Sequence, residues 1–191
     1  RSTRAVWAAL AGGLAFRVVK AFIDPGLLVE PPAGEFHLIA KAFLSSGVFS
    51  YDGVAPTAFR LPLWPLTMAL LFKLTGTTAY LAVVAMNFVF SGLAAVLTYR
   101  AARRVLPEGW AVAAVWLQVL NPFSAHVDYS ANYEPLLTLL FAALMYLLVR
   151  GVADGGDSTR LWLAAGAVTG LSLTCRSSLL LLPPIVTAFL P

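Results

Sequence analysis

From Ala79 to Tyr99 the chain runs AYLAVVAMNFVFSGLAAVLTY, 21 residues without one charged side chain. A stretch of about 20 apolar residues spans the roughly 30 Å of a bilayer's hydrocarbon as a helix. Inside that hydrocarbon the backbone must satisfy its own hydrogen bonds, which leaves helices and closed barrels as the only spanning forms. This run reads as a helix, and it does not stand alone. Further apolar segments lie at about Ala5–Ile23, Leu61–Leu74, Trp110–Leu120, Pro135–Val149, Leu161–Leu173 and Ser178–Leu190. The expected fold is all-α, a polytopic transmembrane bundle of about six or seven membrane segments in one domain, 1–191. Residues 1–24 form the first span, 25–60 an outward loop, and 61–191 the remaining membrane helices.

Composition agrees. The 191 residues are 60% hydrophobic and 12% charged, and the mean hydropathy is +0.82. Soluble domains run near about 45–50% apolar and about 25% charged. The net charge of +4 therefore speaks to membrane topology rather than to nucleic acid. Cys175 is the single cysteine, so no intrachain disulfide forms. The first apolar stretch runs into Arg17 and Lys20 without a small-residue cleavage motif, unlike a signal peptide. Those two cations are expected to snorkel to an interface.

Charge sets orientation. Arg100, Arg103 and Arg104, and also Arg150 and Arg160, mark cytoplasmic ends. The loop holding His126, Asp128 and Glu134 lacks Lys and Arg and is expected outside, as is the loop after the first span. A conflict of parity follows. Two segments, Leu61–Leu74 and Ala79–Tyr99, separate that outer loop from the arginines, and two full crossings would put the arginines on the wrong side.

The first loop interrupts the apolar pattern most sharply. Pro31 and Pro32 stop the first helix. In GEFHLIAKAFLS, residues 34–45, helical spacing sets Phe36, Ile39, Ala40, Phe43 and Leu44 on one arc and His37, Lys41 and Ser45 on the other. The pattern predicts an interfacial amphipathic helix over about 34–46. SSGVFSYDGVAPTAF reads as turn and extended chain, and Arg60, Pro62 and Pro65 mark entry to the next segment. His37 and His126 are too sparse for a metal site. No P-loop, G-x-S-x-G, CxxC pair or H-E-x-x-H occurs.

The order of these motifs carries a family resemblance. An acid stands ahead of an aromatic-rich short helix, then come G-x-F-S and RLPLWPL. Downstream are NPFSAHVDYSANYEPLLTLLFAAL and GAVTGLSLTCRSSLLLLPP. Together they resemble the N-terminal membrane module of a GT-C glycosyltransferase, in the dolichyl-phosphate-mannose protein mannosyltransferase and aminoarabinose transferase-like group. The resemblance implies sugar transfer from a polyprenyl-phosphate donor at the outer membrane face. It implies an acid as base, with Glu35, Glu30 and Glu134 as candidates. It implies cations for the lipid phosphate, with Arg60, Arg176, His37 and Lys41 as candidates. No cofactor is expected, and a divalent cation has no support in the sequence. Partners would be membrane lipid and the donor, with no nucleic acid. The setting would be an integral membrane protein of a bacterial inner membrane. One departure stands out: Pro32 occupies the position where the family carries its first-loop acid. The chain is also shorter than its relatives, so a truncated copy is expected. The alternative reading is a non-catalytic GT-C-like subunit that packs in and stabilises a larger membrane complex.

Overall fold

The computed structural model describes residues 2–29, 34–153 and 159–187. Among them every regular element is helical: α1 (Ser2–Ile23), α2 (Glu35–Ser46), α3 (Leu63–Thr75), α4 (Tyr80–Val105), α5 (Glu108–Val119), α6 (Pro122–Val127), α7 (Glu134–Ala153), α8 (Thr159–Cys175) and α9 (Leu182–Thr187). Three are long and apolar enough to cross a bilayer: Thr3–Ile23, Tyr80–Val105 and Glu134–Ala153. At 1.5 Å per residue, α3 and α5 reach only about 18–20 Å. The expected seventh segment is broken into a 3-10 turn, Ser177–Leu179, and the short α9.

The local sequence explains the helix ends. Gly47 and Gly76 close α2 and α3 in the left-handed conformation, with φ of 74° and 67°, and their N–H groups return to Phe43 and Phe72. At α6 the Asn121 side chain accepts from the N–H groups of Phe123 and Ser124, and Pro122 fills the first helical position.

Packing fixes the directions of the helices. Val83 of α4 clusters with Leu136 and Leu137 of α7, and farther along Arg104 lies over the Tyr146 ring at 5.8 Å. The two central helices therefore run parallel. Helix α1 runs against α4: Ala9 packs with Ala95, and Ala21 packs near Tyr80 and Val84. Helix α8 runs against α7, with Trp162 beside Gly151 and Cys175 in the cluster of Leu136 and Leu137. Arg4, Arg100, Arg103, Arg104, Arg150 and Arg160 thus gather towards one end of the bundle. Residues 25–29 and 34–60, with α2 among them, and the α6–α7 connection lie at the other.

This geometry removes the parity conflict. The Trp64 indole, at the start of α3, donates to the Ala131 carbonyl at 2.9 Å. Just past the end of α3, Tyr80 joins a cluster with Tyr129, Leu27 and Ala131. Both ends of α3 therefore meet the same connection at the same end of the bundle. Helix α3 returns to the side it left, and only α4 separates the loop from the arginines.

Helices α1 and α5 approach closely because α1 carries two glycines at the contact. A Cβ on Gly12 would lie 2.6 Å from the Trp116 ring, and one on Gly13 would lie 2.6 Å from Val119 Cβ. Gly92 of α4 meets nothing within 4 Å. Gly13→Ala is therefore expected to destabilise the bundle by about 1–3 kcal/mol, while Gly92→Ala leaves its melting in detergent unchanged. Equal melting of both variants would contradict the α1–α5 packing.

Candidate functional site

Arg17 sits two turns from the end of α1, yet it does not snorkel. It is 5% exposed and Asp128 is 1% exposed. Its Nε donates to Asp128 Oδ2 at 2.6 Å, and its Nη1 donates to the carbonyls of Val119 at 2.8 Å and Gly13 at 3.1 Å. The expectation of an interfacial Arg17 is thus corrected. An unpaired cation at this depth is costly, and a paired one is tolerated when it faces the bundle interior. The short α5 supplies part of the pairing, because it ends at Val119 with open carbonyls. Ser91 of α4 donates to Asp128 Oδ1 at 2.6 Å. The Asn87 amide donates to the Asp128 and Ser130 carbonyls at 3.2 and 2.8 Å, and the Tyr129 hydroxyl donates to the Arg17 carbonyl at 2.7 Å. Asp128 is therefore the hub of a network joining α1, α4, α5 and the connection 128–133.

That connection forms one wall of a cleft of about 440 Å³. Glu35 and Phe36 at the start of α2, Arg60, Tyr80, His126 and Tyr129 are among its lining residues. Glu35 and Arg60 form an ion pair at its rim, both part-exposed. The Arg60 guanidinium lies over the Phe36 and Phe59 rings at 5.3 and 4.8 Å, and Phe36 meets Tyr133 edge to face at 5.9 Å. The neighbouring Glu35 carboxylate raises the Arg60 pKa above its usual value, so the guanidinium stays a cation at any working pH. The loop ahead of Arg60 is self-supporting. Asp52 accepts from the N–H groups of Val54 and Ala55 at 2.9 and 3.1 Å, and Ser50 accepts from Gly53, which has a φ of 81°.

The remaining sequence candidates scatter. Glu30, and Pro32 with it, lies outside the described residues. His37 does not share an outward arc with Lys41 and Ser45. It is 2% exposed, with its ring 5.1 Å from that of Phe72, on the face of α2 that packs against α3. The helical wheel placed His37 by polarity, whereas an imidazole packs readily on an aromatic ring. Lys41 is exposed on α2. Arg176 is exposed and donates to Ser178 Oγ at 2.8 Å. Glu134 opens α7 with one carboxylate oxygen buried and without a partner. The structure thus brings Glu35 and Arg60 together and adds His126 and Tyr129, which the sequence offered only as loop residues. Among the described residues no three His, Cys, Asp or Glu side chains converge on a metal position.

Residues 56–190 match the family described as dolichyl-phosphate-mannose-protein mannosyltransferase. The matched region holds Arg60, His126 and the Asp128 hub, and α1 and α2 precede it. No curated protein and no solved structure matches the chain.

Two outcomes follow from the geometry. Asp128→Ala strands the Arg17 charge and is expected to cost about 3–5 kcal/mol, whereas Arg17→Met with Asp128→Leu recovers most of that loss. Detergent unfolding of the single and double variants checks this. At Asp52 the two backbone N–H bonds hold the carboxyl below its usual value of 3.8. Their contribution is present above that value and is lost as pH falls through the lowered one. The protection of the Val54 and Ala55 amides from exchange, relative to their free rates at the same pH, is expected to fall at that acid edge.

Proposed function

The chain belongs to the dolichyl-phosphate-mannose-protein mannosyltransferase family, and from that premise we propose that it transfers a sugar from a polyprenyl-phosphate donor at the outer membrane face. The observation that carries this reading is the pairing of Glu35 with Arg60 at the rim of the cleft. The donor's phosphodiester carries one negative charge, as a carboxylate does, and offers two free oxygens that match the guanidinium fork; its charge grows as the bond to the sugar breaks. The donor phosphate competes for Arg60 and displaces Glu35 from it. The freed carboxylate then accepts the proton of the acceptor hydroxyl as its oxygen attacks the anomeric carbon. The bond from that carbon to the phosphate oxygen breaks, and the departing lipid phosphate leaves with its charge held by Arg60.

Position supports the same reading. Arg4, Arg100, Arg103, Arg104, Arg150 and Arg160 lie towards the end away from the cleft, so the positive-inside rule turns the cleft outward. In a bacterial inner membrane it would open on the periplasmic side. Helix α2 rests at the boundary between lipid and water, with Glu35, Lys41 and Ser45 exposed and Ile39 and Ala40 buried.

The test is a transfer assay with a polyprenyl-phosphate sugar and the purified chain. Glu35→Gln is expected to lower kcat about 100-fold or more with little change in KM. Arg60→Ala is expected to weaken donor binding about tenfold or more. Donor binding that survives Arg60→Ala unchanged would remove the phosphate role. Donor binding without turnover, together with constant co-purification in a larger complex, would favour the non-catalytic subunit.

A further inference from the structure

Transfer by Glu35 and Arg60 leaves part of the cleft unused. Most polar side chains that line it are already committed within the chain. Glu35 and Arg60 hold one another, and the Tyr129 hydroxyl donates to the Arg17 carbonyl at 2.7 Å. The Tyr80 hydroxyl donates to the Leu27 carbonyl at 3.4 Å, and the Ser130 hydroxyl to the Val127 carbonyl at 2.7 Å. His126 and Asn132 are different. Both line the cleft, both are exposed, and neither side chain has a partner among the described residues. Each nevertheless stands on backbone that is pinned close by. The His126 carbonyl accepts from the Tyr129 N–H at 3.1 Å, just before and after the buried Asp128. Asn132 lies between Ala131, whose carbonyl accepts from the Trp64 indole at 2.9 Å, and Tyr133, whose ring meets Phe36 at 5.9 Å. The two side chains are therefore fixed at the root and free at the tip. Asn132 belongs to the part of the wall beside Phe36 and Arg60, and His126 stands farther back along it.

We infer that His126 and Asn132 position the sugar of the lipid-linked donor, each by a hydrogen bond to a hydroxyl of the ring. This inference rests on the lipid-phosphate role of Arg60 proposed above. The sugar is joined directly to that phosphate, so a phosphate held at Arg60 sets the sugar against the neighbouring wall. A hydroxyl both donates and accepts, and so do a neutral imidazole and a carboxamide. Arg60 and Glu35 are not available to fix the ring. One holds the phosphate, and the other stays free for the acceptor's proton. Both also sit on a rim that exchanges partners on binding, whereas the wall is held by buried hydrogen bonds. Orientation matters because the acceptor oxygen must meet the anomeric carbon on the face that Glu35 serves. A ring held only through its phosphate turns about that bond. A ring held also by two hydroxyls does not. His126 and Asn132 take no part in the proton transfer itself.

The test is the binding of undecaprenyl phosphate and undecaprenyl-phosphate mannose to the purified chain in detergent, with transfer measured alongside. His126→Ala and Asn132→Ala are each expected to weaken the mannosyl lipid about tenfold, the worth of one hydrogen bond, and to leave undecaprenyl phosphate unchanged. In the transfer assay the donor KM rises and kcat falls. His126→Gln, which keeps a donor and an acceptor, is expected to recover most of the loss. Among mannosyl lipids lacking single hydroxyls, one is expected to bind wild type and His126→Ala equally, and a different one wild type and Asn132→Ala. Should a variant fold poorly, these analogues decide on wild type alone: if all of them bind as tightly as the parent lipid, no hydroxyl is held and the inference falls. If Arg60→Ala weakens both lipids but neither wall variant separates them, the sugar wall is wrong and the function stands. If Arg60→Ala changes neither lipid, both readings fall. An equal loss of both lipids in His126→Ala, at unchanged melting, would make His126 a phosphate ligand and overturn the inference.

Discussion

The buried pair of Arg17 and Asp128 sets most of what surrounds it. Both charges are withdrawn from water in a bundle whose outer surface is hydrocarbon, and neither could sit there alone. Meeting the needs of both draws in three other parts of the chain. Helix α5 contributes its last open carbonyl, α4 contributes Ser91 and Asn87, and the connection after α6 contributes its own backbone. Small residues permit the closeness, with Gly12 and Gly13 letting α5 lie directly against α1. The shortness of α5 acquires a reason in this arrangement. A full-length helix would satisfy the Val119 carbonyl internally and leave Arg17 short of an acceptor.

The same network shapes the cleft from below. Tyr129 and Ser130 follow directly on Asp128, so fixing that carboxylate fixes the wall against which Glu35, Phe36 and Arg60 stand. The wall is held by buried hydrogen bonds. The opposite rim is held by a part-exposed ion pair and two aromatic rings. A rigid wall facing a looser rim suits a site in which a charged ligand must exchange places with a carboxylate. Exposed ion pairs are weak and easily traded, whereas buried ones are not.

Much of this was legible in the sequence. Apolar runs demanded helices, and the arginine clusters marked one end of the bundle. The helix expected over about 34–46 is present as α2, Glu35–Ser46. Glu35 and Arg60 were both named as candidates, and they meet. Other residues were misjudged for identifiable reasons. Arg17 looked interfacial because a cation near a helix end can snorkel, and only its contact with Asp128, 111 positions away, shows that it turns inward. His37 was assigned to the polar arc of α2 because the wheel counts polarity and not the ring of Phe72.

What the sequence determined by itself was the class of structure: helices in a bilayer, basic at one end, with a polar loop at the other. Hydrophobicity and charge act residue by residue, and a linear reading captures them. What only the tertiary structure decided was pairing and direction. Helix α3 leaves and returns on one side, α4 and α7 run parallel, and Arg17 finds Asp128 across the bundle. Those outcomes depend on which surfaces fit and which buried charges meet, and such complementarity exists only between segments once they are brought together.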